Sequence, residues 1–235
     1  MAVRKSSLLA TGAFALLSTC MSFSASATEM LSNGGFETGD FSSWSAISNG
    51  GTGGCSVNLW SVNATGAHGC TNNGTVTPAP TSGTYAAYNT FDGVGGAPFL
   101  LSQSFALPSS VSGATLSFLE TYNMSHGGLL RTFQIDLFDA TNTTFLANLF
   151  SVQPGGSDVL GWTSQSLDVT GLVAAQAGQT VTLRLSNIIP ESYTGPAGFG
   201  VDDISLDVTS VPEPATFALM GLGLAGLAFR KKKQA

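Results

Sequence analysis

Residues 180–186 read Thr-Val-Thr-Leu-Arg-Leu-Ser, a strict alternation of polar and apolar side chains. Successive side chains of a β-strand point to opposite faces, so Val181, Leu183 and Leu185 would share one face of a sheet. An amphipathic helix would instead repeat its apolar residues every three or four positions. This stretch therefore predicts a strand with these three side chains on one face.

Short runs of the same kind recur from Met30 to Val208, separated by residues that favour turns. A single helical turn is predicted at Leu172–Ala177. About ten strands in roughly 180 residues indicate an all-β domain, a two-sheet antiparallel jelly-roll sandwich over residues 28–210. The predicted strands are Trp44–Ile47, Ser56–Val62, Tyr85–Thr90, Phe99–Ala106, Ala114–Tyr122, Phe133–Phe138, Thr144–Phe150, Thr163–Val169, Thr180–Ser186 and Phe199–Val208.

The charges of this domain limit its partners. The segment from Thr28 to Val211 carries 13 acidic residues and two basic ones, Arg131 and Arg184, which gives it a net charge of −11. A protein that binds the phosphate backbone of a nucleic acid needs the opposite sign. The composition therefore excludes nucleic-acid binding.

The N-terminus has the three parts of a secretory signal peptide, predicted at residues 1–27. Arg4 and Lys5 form the basic region, and Leu8–Leu17 forms an apolar region too short to cross a bilayer. Ala25-Ser26-Ala27 offers the small residues that signal peptidase requires. Cleavage is therefore expected between Ala27 and Thr28, and the protein should be exported.

Three cysteines are present. Cys20 lies in the predicted leader and leaves a lipoprotein open as an alternative, although Thr19 stands where a small Gly, Ala or Ser is expected. Cys55 and Cys70 would remain after cleavage, and an even number in an exported chain predicts a disulfide. That bond would rigidify the Gly- and Asn-rich stretch from Asn49 to Ser82.

The C-terminal residues 211–235 form a second distinct segment. Val211-Pro212-Glu213-Pro214 is followed by an uncharged, mostly apolar stretch at 215–229 and a basic end at 230–233. This order predicts a transmembrane helix whose basic end stays in the cytoplasm. An ordinary single-pass anchor would have these features too, apart from the Pro212-Glu213-Pro214 motif.

The segment resembles a PEP-CTERM sorting tail in its motif, its helix and its basic end. The resemblance implies that a membrane transpeptidase, exosortase, recognises the tail and cleaves near the motif. It also implies a Gram-negative bacterium that makes extracellular polysaccharide. The helix would then anchor the protein only transiently in the inner membrane, before the domain reaches the cell surface or the extracellular matrix.

Two stretches of the domain resemble galactose-binding-like jelly rolls, including carbohydrate-binding modules. Residues 33–44, Asn-Gly-Gly-Phe-Glu-Thr-Gly-Asp-Phe-Ser-Ser-Trp, are similar to the opening strand and turn of that fold. Residues 198–206, Gly-Phe-Gly-Val-Asp-Asp-Ile-Ser-Leu, are similar to its closing strand. The resemblance implies a structural Ca²⁺ held by Glu37 and Asp203, with Asp202 and Asp40 as less certain ligands. Alternatively, these carboxylates only accept backbone hydrogen bonds in turns.

Sugar binding would need an exposed aromatic ring with polar groups beside it. Trp60, Tyr85 and Tyr122 are the candidate platform, whereas Trp44 belongs to the opening motif and should be in the core. For catalysis, neither a G-x-S-x-G nor an H-E-x-x-H motif is present. The protein is therefore expected not to be an enzyme.

Together these features favour an exported, non-catalytic protein of the cell surface or matrix, associated with exopolysaccharide. The alternative is a lectin-like module that binds a defined glycan. A glycan-processing hydrolase is the least favoured function, although the 13 scattered acids leave a paired-carboxylate site open.

Overall fold

The computed structural model describes residues 26–47, 60–66, 77–91, 98–191 and 195–210. These residues form two antiparallel β-sheets in a sandwich. The predicted leader helix, the C-terminal helix, the Pro212-Glu213-Pro214 motif and the Cys55–Cys70 pair lie outside the described residues. Within the described ranges, no helix combines the length and hydropathy needed to span a membrane.

Eleven strands and one short helix make up the described chain. In sequence order they are β1 Ser26–Glu29, β2 Ser45–Ile47, β3 Trp60–Asn63, β4 Ala86–Phe91, β5 Phe99–Ala106, β6 Gly113–Met124, β7 Thr132–Asp139, β8 Phe145–Val152, β9 Val159–Asp168, α1 Thr170–Ala174, β10 Thr180–Ile188 and β11 Ala197–Ser210. Sheet A has the order β3-β4-β11-β6-β9, with β1 paired to the C-terminal part of β11. Sheet B has the order β2-β5-β10-β7-β8.

Each of the ten predicted strands overlaps a strand of the structure, and the predicted helical turn overlaps α1. The strand that the sequence did not predict is β1, whose four residues are all exposed. It pairs Thr28 with Val208 and Glu29 with Asp207 on β11. The expected cleavage site between Ala27 and Thr28 therefore lies within β1.

The core lies between the two sheets and follows the predicted alternation. Val181, Leu183 and Leu185 of β10 are completely buried. Rings from both sheets meet in the middle, where Phe133 of sheet B stacks on Phe199 of sheet A at 4.9 Å between centroids. Burial of these apolar side chains is the main force that holds the sheets together.

A pair of buried amides also joins the two sheets. Asn187 on β10 donates from Nδ2 to Oδ1 of Asn89 on β4 at 2.6 Å, and both residues are at most 2% exposed. A buried polar group that loses its partner costs about 1–3 kcal/mol. The pair therefore fixes how sheet A and sheet B face each other.

We expect Asn187→Ala to lower the free energy of unfolding by about 2 kcal/mol, because Asn89 then keeps a buried amide without this bond. Urea denaturation of the full-length protein measures the change. The double variant Asn89→Ala/Asn187→Ala should cost less than the sum of the two single variants. Strictly additive losses would show that the two amides do not stabilise each other.

Candidate functional site

The opening motif folds into a tight turn that its own side chains hold. Asn33 has a φ of 54° and donates from Nδ2 to the carbonyl oxygens of Asp40 and Ser42. The indole N–H of Trp44 donates to the carbonyl oxygens of Ser32 and Asn33, both at 3.1 Å. Trp44 is buried against Phe36, as predicted. The turn is thus rigidly attached to the core.

This turn crosses the closing strand at Gly34. The N–H of Ile204 donates to the Gly34 carbonyl at 3.1 Å, and a Cβ on Gly34 would overlap the Ile204 carbonyl oxygen. The register of β11 shifts between Asp202 and Ser205, where Asp203 adopts a φ of 47°. The bulge and the crossing bring the closing strand's carboxylates to the opening turn.

Glu37, Asp202 and Asp203 surround Gly35, and we call them the carboxylate cluster. A Cβ built on Gly35 would lie 3.0 Å from Asp203 Oδ1, 3.9 Å from Asp202 Oδ1 and 3.8 Å from Glu37 Cγ. Two members, Glu37 and Asp203, are exposed, whereas Asp202 is only 1% exposed. The structure therefore brings together three of the four predicted calcium ligands, whereas Asp40 is not among the atoms around Gly35.

Asp202 is the member of the cluster whose negative charge is least well compensated. Its Oδ1 accepts a hydrogen bond from the Asp203 N–H at 2.8 Å, but its Oδ2 is buried without a hydrogen-bond partner. Burial, followed by the negative charges of Asp203 and Glu37, raises the pKa of Asp202 to about 7. The ionised form is therefore costly unless a cation compensates it.

Glu37 and Asp40 each accept backbone hydrogen bonds, which is what the turn alternative expects. Glu37 Oε1 accepts from the N–H groups of Thr84 and Tyr85 at 2.9 and 3.0 Å. Asp40 Oδ1 accepts from Ser42 N–H and Thr38 Oγ1, and the hydrogen bonds from Ser42 and Thr38 lower the pKa of Asp40. The Glu37 contacts attach the opening turn to residues 84–85, and the Asp40 contacts hold the turn itself.

Three or more Asp, Glu, His or Cys side chains do not converge as a metal-binding group anywhere in the described residues. A calcium ion at the carboxylate cluster would thus take only part of its six to eight oxygen ligands from side chains. Backbone carbonyls and water would have to supply the others.

A second feature is a groove of about 410 Å³ on sheet B, which we call the hydroxyl groove. Its walls and floor come from the start of β2, the middle of β5, the β7–β8 turn and β10. Ser104 and Thr182 share a hydrogen bond of 2.7 Å across β5 and β10. The lining residues are Ser43, Trp44, Ser45, Ser102, Gln103, Ser104, Asn142 and Thr182.

Asn142 is brought to the groove by a turn that Asp139 holds. The carboxylate of Asp139 accepts from the N–H groups of Thr143 and Thr144 and from the Thr141 hydroxyl. These bonds hold the pKa of Asp139 well below its usual range. Asn142, with a φ of 57°, can then donate from Nδ2 to Ser102 Oγ at 3.4 Å.

Arg184 borders the groove on the same face of sheet B. It pairs with Ser102 on one side and Asp136 on the other. Its guanidinium carbon lies 3.2 Å from the ring centroid of Phe138, and Nη1 reaches Asn142 Oδ1 at 3.5 Å. The carboxylate of Asp136 accepts from the amides of Gln134 and Asn148 at 2.6 and 2.7 Å.

The three aromatic residues predicted as a glycan platform do not form one exposed surface. Trp60 is only 5% exposed and belongs to the core, so its assignment as a platform is wrong. Tyr122 packs against Phe199 at 5.7 Å, and the Tyr85 ring lies against Gly39. None of these three residues lines the hydroxyl groove.

The sequence did not single out the groove residues. One signal was present, because Ser102, Ser104 and Thr182 occupy the polar positions of predicted strands and must therefore face away from the core. Ordinary surface strands carry the same pattern. The register that aligns these hydroxyls across β5 and β10 is a property of the folded sheet.

Comparison with known proteins identifies the tail. Residues 210–233 match the model of the PEP-CTERM protein-sorting motif, which confirms that prediction. The motif indicates an exported protein of the cell envelope and implies processing by exosortase. No curated protein matches the chain in sequence.

Solved structures similar to the chain are β-sandwiches, some of them carbohydrate-binding modules. TmCBM61, solved in complex with β-1,4-galactotriose, has 22% identity and a TM-score of 0.43, covering 76% of this chain and 97% of its own. A Stig cyclase from Fischerella sp. TAU has 17% identity and a TM-score of 0.49, covering 80% and 100%. The K1 adhesin domain of Lys-gingipain from Porphyromonas gingivalis W83 has 16% identity and a TM-score of 0.44, covering 81% and 100%.

Proposed function

We propose that this chain is an exported, non-catalytic protein of the cell surface or extracellular matrix that binds a neutral polysaccharide through the hydroxyl groove. The observation that carries the proposal is the lining of that groove. Seven of its eight residues carry a hydroxyl or amide side chain, and four of these, Ser43, Ser45, Ser104 and Asn142, are exposed or partly exposed and come from three separate segments of the chain. This favours the lectin-like alternative over a purely structural role in the matrix.

The chemistry of the groove suits a sugar without charge. Hydroxyl and carboxamide groups both donate and accept hydrogen bonds, as sugar hydroxyls do. A volume of about 410 Å³ is within the range of small-ligand sites. The net charge of −11 between Thr28 and Val211 would repel an anionic polymer.

The same lining supports binding rather than turnover. General acid–base and nucleophilic catalysis of glycan cleavage require a carboxyl, imidazole or comparable group at the reacting bond. None of the eight lining residues carries such a group. The nearby carboxylate of Asp136 is buried, at 1% exposure, and bonded to two amides.

We further propose that calcium stabilises the domain at the carboxylate cluster. Asp202 is buried beside two other carboxylates and has one oxygen without a hydrogen-bond partner, so a hard cation would offset its charge. Asp202 and Asp203 would hold the ion. Glu37 would also bind the ion, because its carboxylate has oxygen lone pairs that are not used by the hydrogen bonds from residues 84–85.

The sorting tail indicates where in the cell this binding would take place. We propose that the segment 215–229 anchors the protein transiently in the inner membrane of a Gram-negative bacterium and that exosortase acts near Pro212-Glu213-Pro214. The groove would then hold the released or surface-attached domain in exopolysaccharide. In this proposal the tail determines the location and sheet B provides the contact.

Removing groove hydroxyls and amides should weaken binding. We expect Ser104→Ala combined with Asn142→Gly to lower affinity for a bound neutral polysaccharide roughly tenfold to a hundredfold, because each lost hydrogen bond contributes about 0.5–1.5 kcal/mol. Glycine suits the positive φ of position 142. A screen of immobilised polysaccharides with full-length protein, followed by titration of each hit, measures the effect.

Thr115→Val is the matched control, because Thr115 is exposed on β6 in sheet A, outside the hydroxyl groove. It should bind as the wild type does. Equal binding by all three proteins would place the polysaccharide elsewhere, and the absence of any saturable hit would contradict the proposed function.

A further inference from the structure

We propose that Asn142 and Arg184 together recognise a pair of hydroxyls on adjacent ring carbons, so that the groove selects polysaccharides with free vicinal diols. This inference rests on the proposed function, because it names the feature of the polysaccharide that the hydroxyl groove reads. It assigns Arg184, which is not among the groove's lining residues, a specificity-determining role.

Arg184 lies over Phe138 beside the groove. Its guanidinium carbon lies 3.2 Å from the centroid of the Phe138 ring, a cation–π contact that restrains the side chain. Asp136 is opposite on β7, but both of its oxygens accept amide hydrogen bonds. The planar fork of nitrogens is thus oriented along the face of sheet B towards Asn142.

Asn142 is fixed from the other side. Its turn is held by Asp139, its Nδ2 donates to Ser102 Oγ at 3.4 Å, and its Oδ1 accepts from Arg184 Nη1 at 3.5 Å. Both bonds are long, so a ligand with better geometry can replace them without breaking a strong interaction. The amide and the guanidinium therefore present neighbouring donors and an acceptor that are preorganised but weakly engaged.

Adjacent hydroxyls match this arrangement. A planar side chain with two neighbouring polar atoms can bond two oxygens at once, as guanidinium does with a carboxylate. Two hydroxyls on adjacent ring carbons are close enough for the same bidentate contact and carry no charge. Lysine has a single nitrogen and cannot reproduce the fork.

Linkage chemistry provides a sharp test. A hexopyranose linked through its 3-oxygen retains free 2- and 4-hydroxyls, which are not adjacent. One linked through its 4-oxygen retains the adjacent 2- and 3-hydroxyls, and one linked through its 6-oxygen retains three in a row. Full-length protein should be titrated with (1→3)-, (1→4)- and (1→6)-linked glucans and with (1→3)- and (1→4)-linked galactans.

We expect every polymer that binds to be (1→4)- or (1→6)-linked, with at least tenfold weaker binding of the (1→3)-linked polymer of the same sugar. Periodate oxidation, which cleaves vicinal diols, should abolish binding of the positive polymer. Arg184→Lys should reduce the linkage preference at least fivefold. Thr115→Val should retain it.

The outcomes separate this inference from the proposed function. Equal binding of both linkages, or an Arg184→Lys variant with unchanged preference, would overturn the diol inference while leaving polysaccharide binding intact. The periodate experiment needs only the wild-type protein, so it remains decisive even if Arg184→Lys fails to fold. Wild-type binding that survives periodate oxidation of the polymer would also overturn the diol inference. If no polymer binds, the proposed function is overturned as well.

Discussion

Chelation of calcium should lower the melting temperature of the full-length protein by roughly 5–10 °C. A ligand that binds only the folded state at a hundred times its dissociation constant adds about 2.7 kcal/mol of stability. For a domain of this size, each kcal/mol shifts the melting temperature by about 2–4 °C. Thermal unfolding with 1 mM Ca²⁺ and then with excess EDTA measures the difference.

The effect should depend on the carboxylate cluster. Asp202→Asn and Glu37→Gln should each lose most of the response to calcium, because each removes a negative charge beside the ion. Asp207→Asn is the matched control, since Asp207 is an exposed acid on the same strand, β11. A wild type that melts at the same temperature with Ca²⁺ and with EDTA would refute the calcium proposal.

The pH dependence of the chelated protein gives an independent readout. The pKa of Asp202 is about 7 in the folded state, against 3.8 for an ordinary aspartate. The folded state therefore holds this proton more tightly, and the contribution of Asp202 to stability is greatest below pH 4 and decreases as the pH rises to 7. This shift corresponds to at most about 4 kcal/mol.

Without calcium, Asp202→Asn should therefore be more stable than the wild type at pH 8, and the difference should shrink towards pH 4. Calcium should reverse the order at pH 8, because the ion favours the ionised wild-type carboxylate. Wild-type and Asp202→Asn curves that stay parallel from pH 4 to pH 8 would show that the charge of Asp202 is not costly.

The strands of this domain could be predicted because burial leaves a regular mark on the sequence. In β10 the apolar residues Val181, Leu183 and Leu185 alternate with polar ones, and all three are completely buried. Strand β1 carries no such mark, since its four residues are exposed and it is held by backbone pairing with β11. Backbone hydrogen bonding alone leaves no pattern in the side chains.

The two candidate sites differ in the same way. The residues of the carboxylate cluster could be predicted because they belong to two motifs, each a continuous stretch of sequence. One motif opens the domain and the other closes it. The hydroxyl groove could not, because Ser45, Ser102, Asn142 and Thr182 come from four distant segments. The register of β2, β5 and β10 places Ser45, Ser102 and Thr182 side by side, and the β7–β8 turn adds Asn142.

The Trp60 error has a physical cause as well. An aromatic side chain in a strand can face the core or the solvent, and the choice depends on which face of the sheet is covered. The residues around Trp60 conflict, because the alternation of Ser56-Val57-Asn58-Leu59 puts Trp60 on the polar face, whereas Val62 shares its face. In the structure the ring faces inward and is 5% exposed.

The opening and closing motifs meet because of one glycine, and its substitution should cause the largest loss of stability among the variants proposed. Gly34 lies where the opening turn crosses β11, and its carbonyl accepts the Ile204 N–H at 3.1 Å. A Cβ at this position would overlap the Ile204 carbonyl oxygen, which is a backbone atom with little freedom to move. The two segments would have to separate, and the carboxylate cluster would separate with them.

Gly34→Ala should therefore lower the free energy of unfolding by about 3 kcal/mol or more, at the upper end of overpacking effects, and should also weaken the response to calcium. Urea denaturation with and without Ca²⁺ measures both. Gly171→Ala is the matched control: a Cβ at position 171 would have no atom within 4 Å, and alanine in α1 should stabilise by up to about 1 kcal/mol. A Gly34→Ala variant as stable as the wild type would mean that the crossing can open freely, and the link between the two motifs would then not depend on close backbone contact.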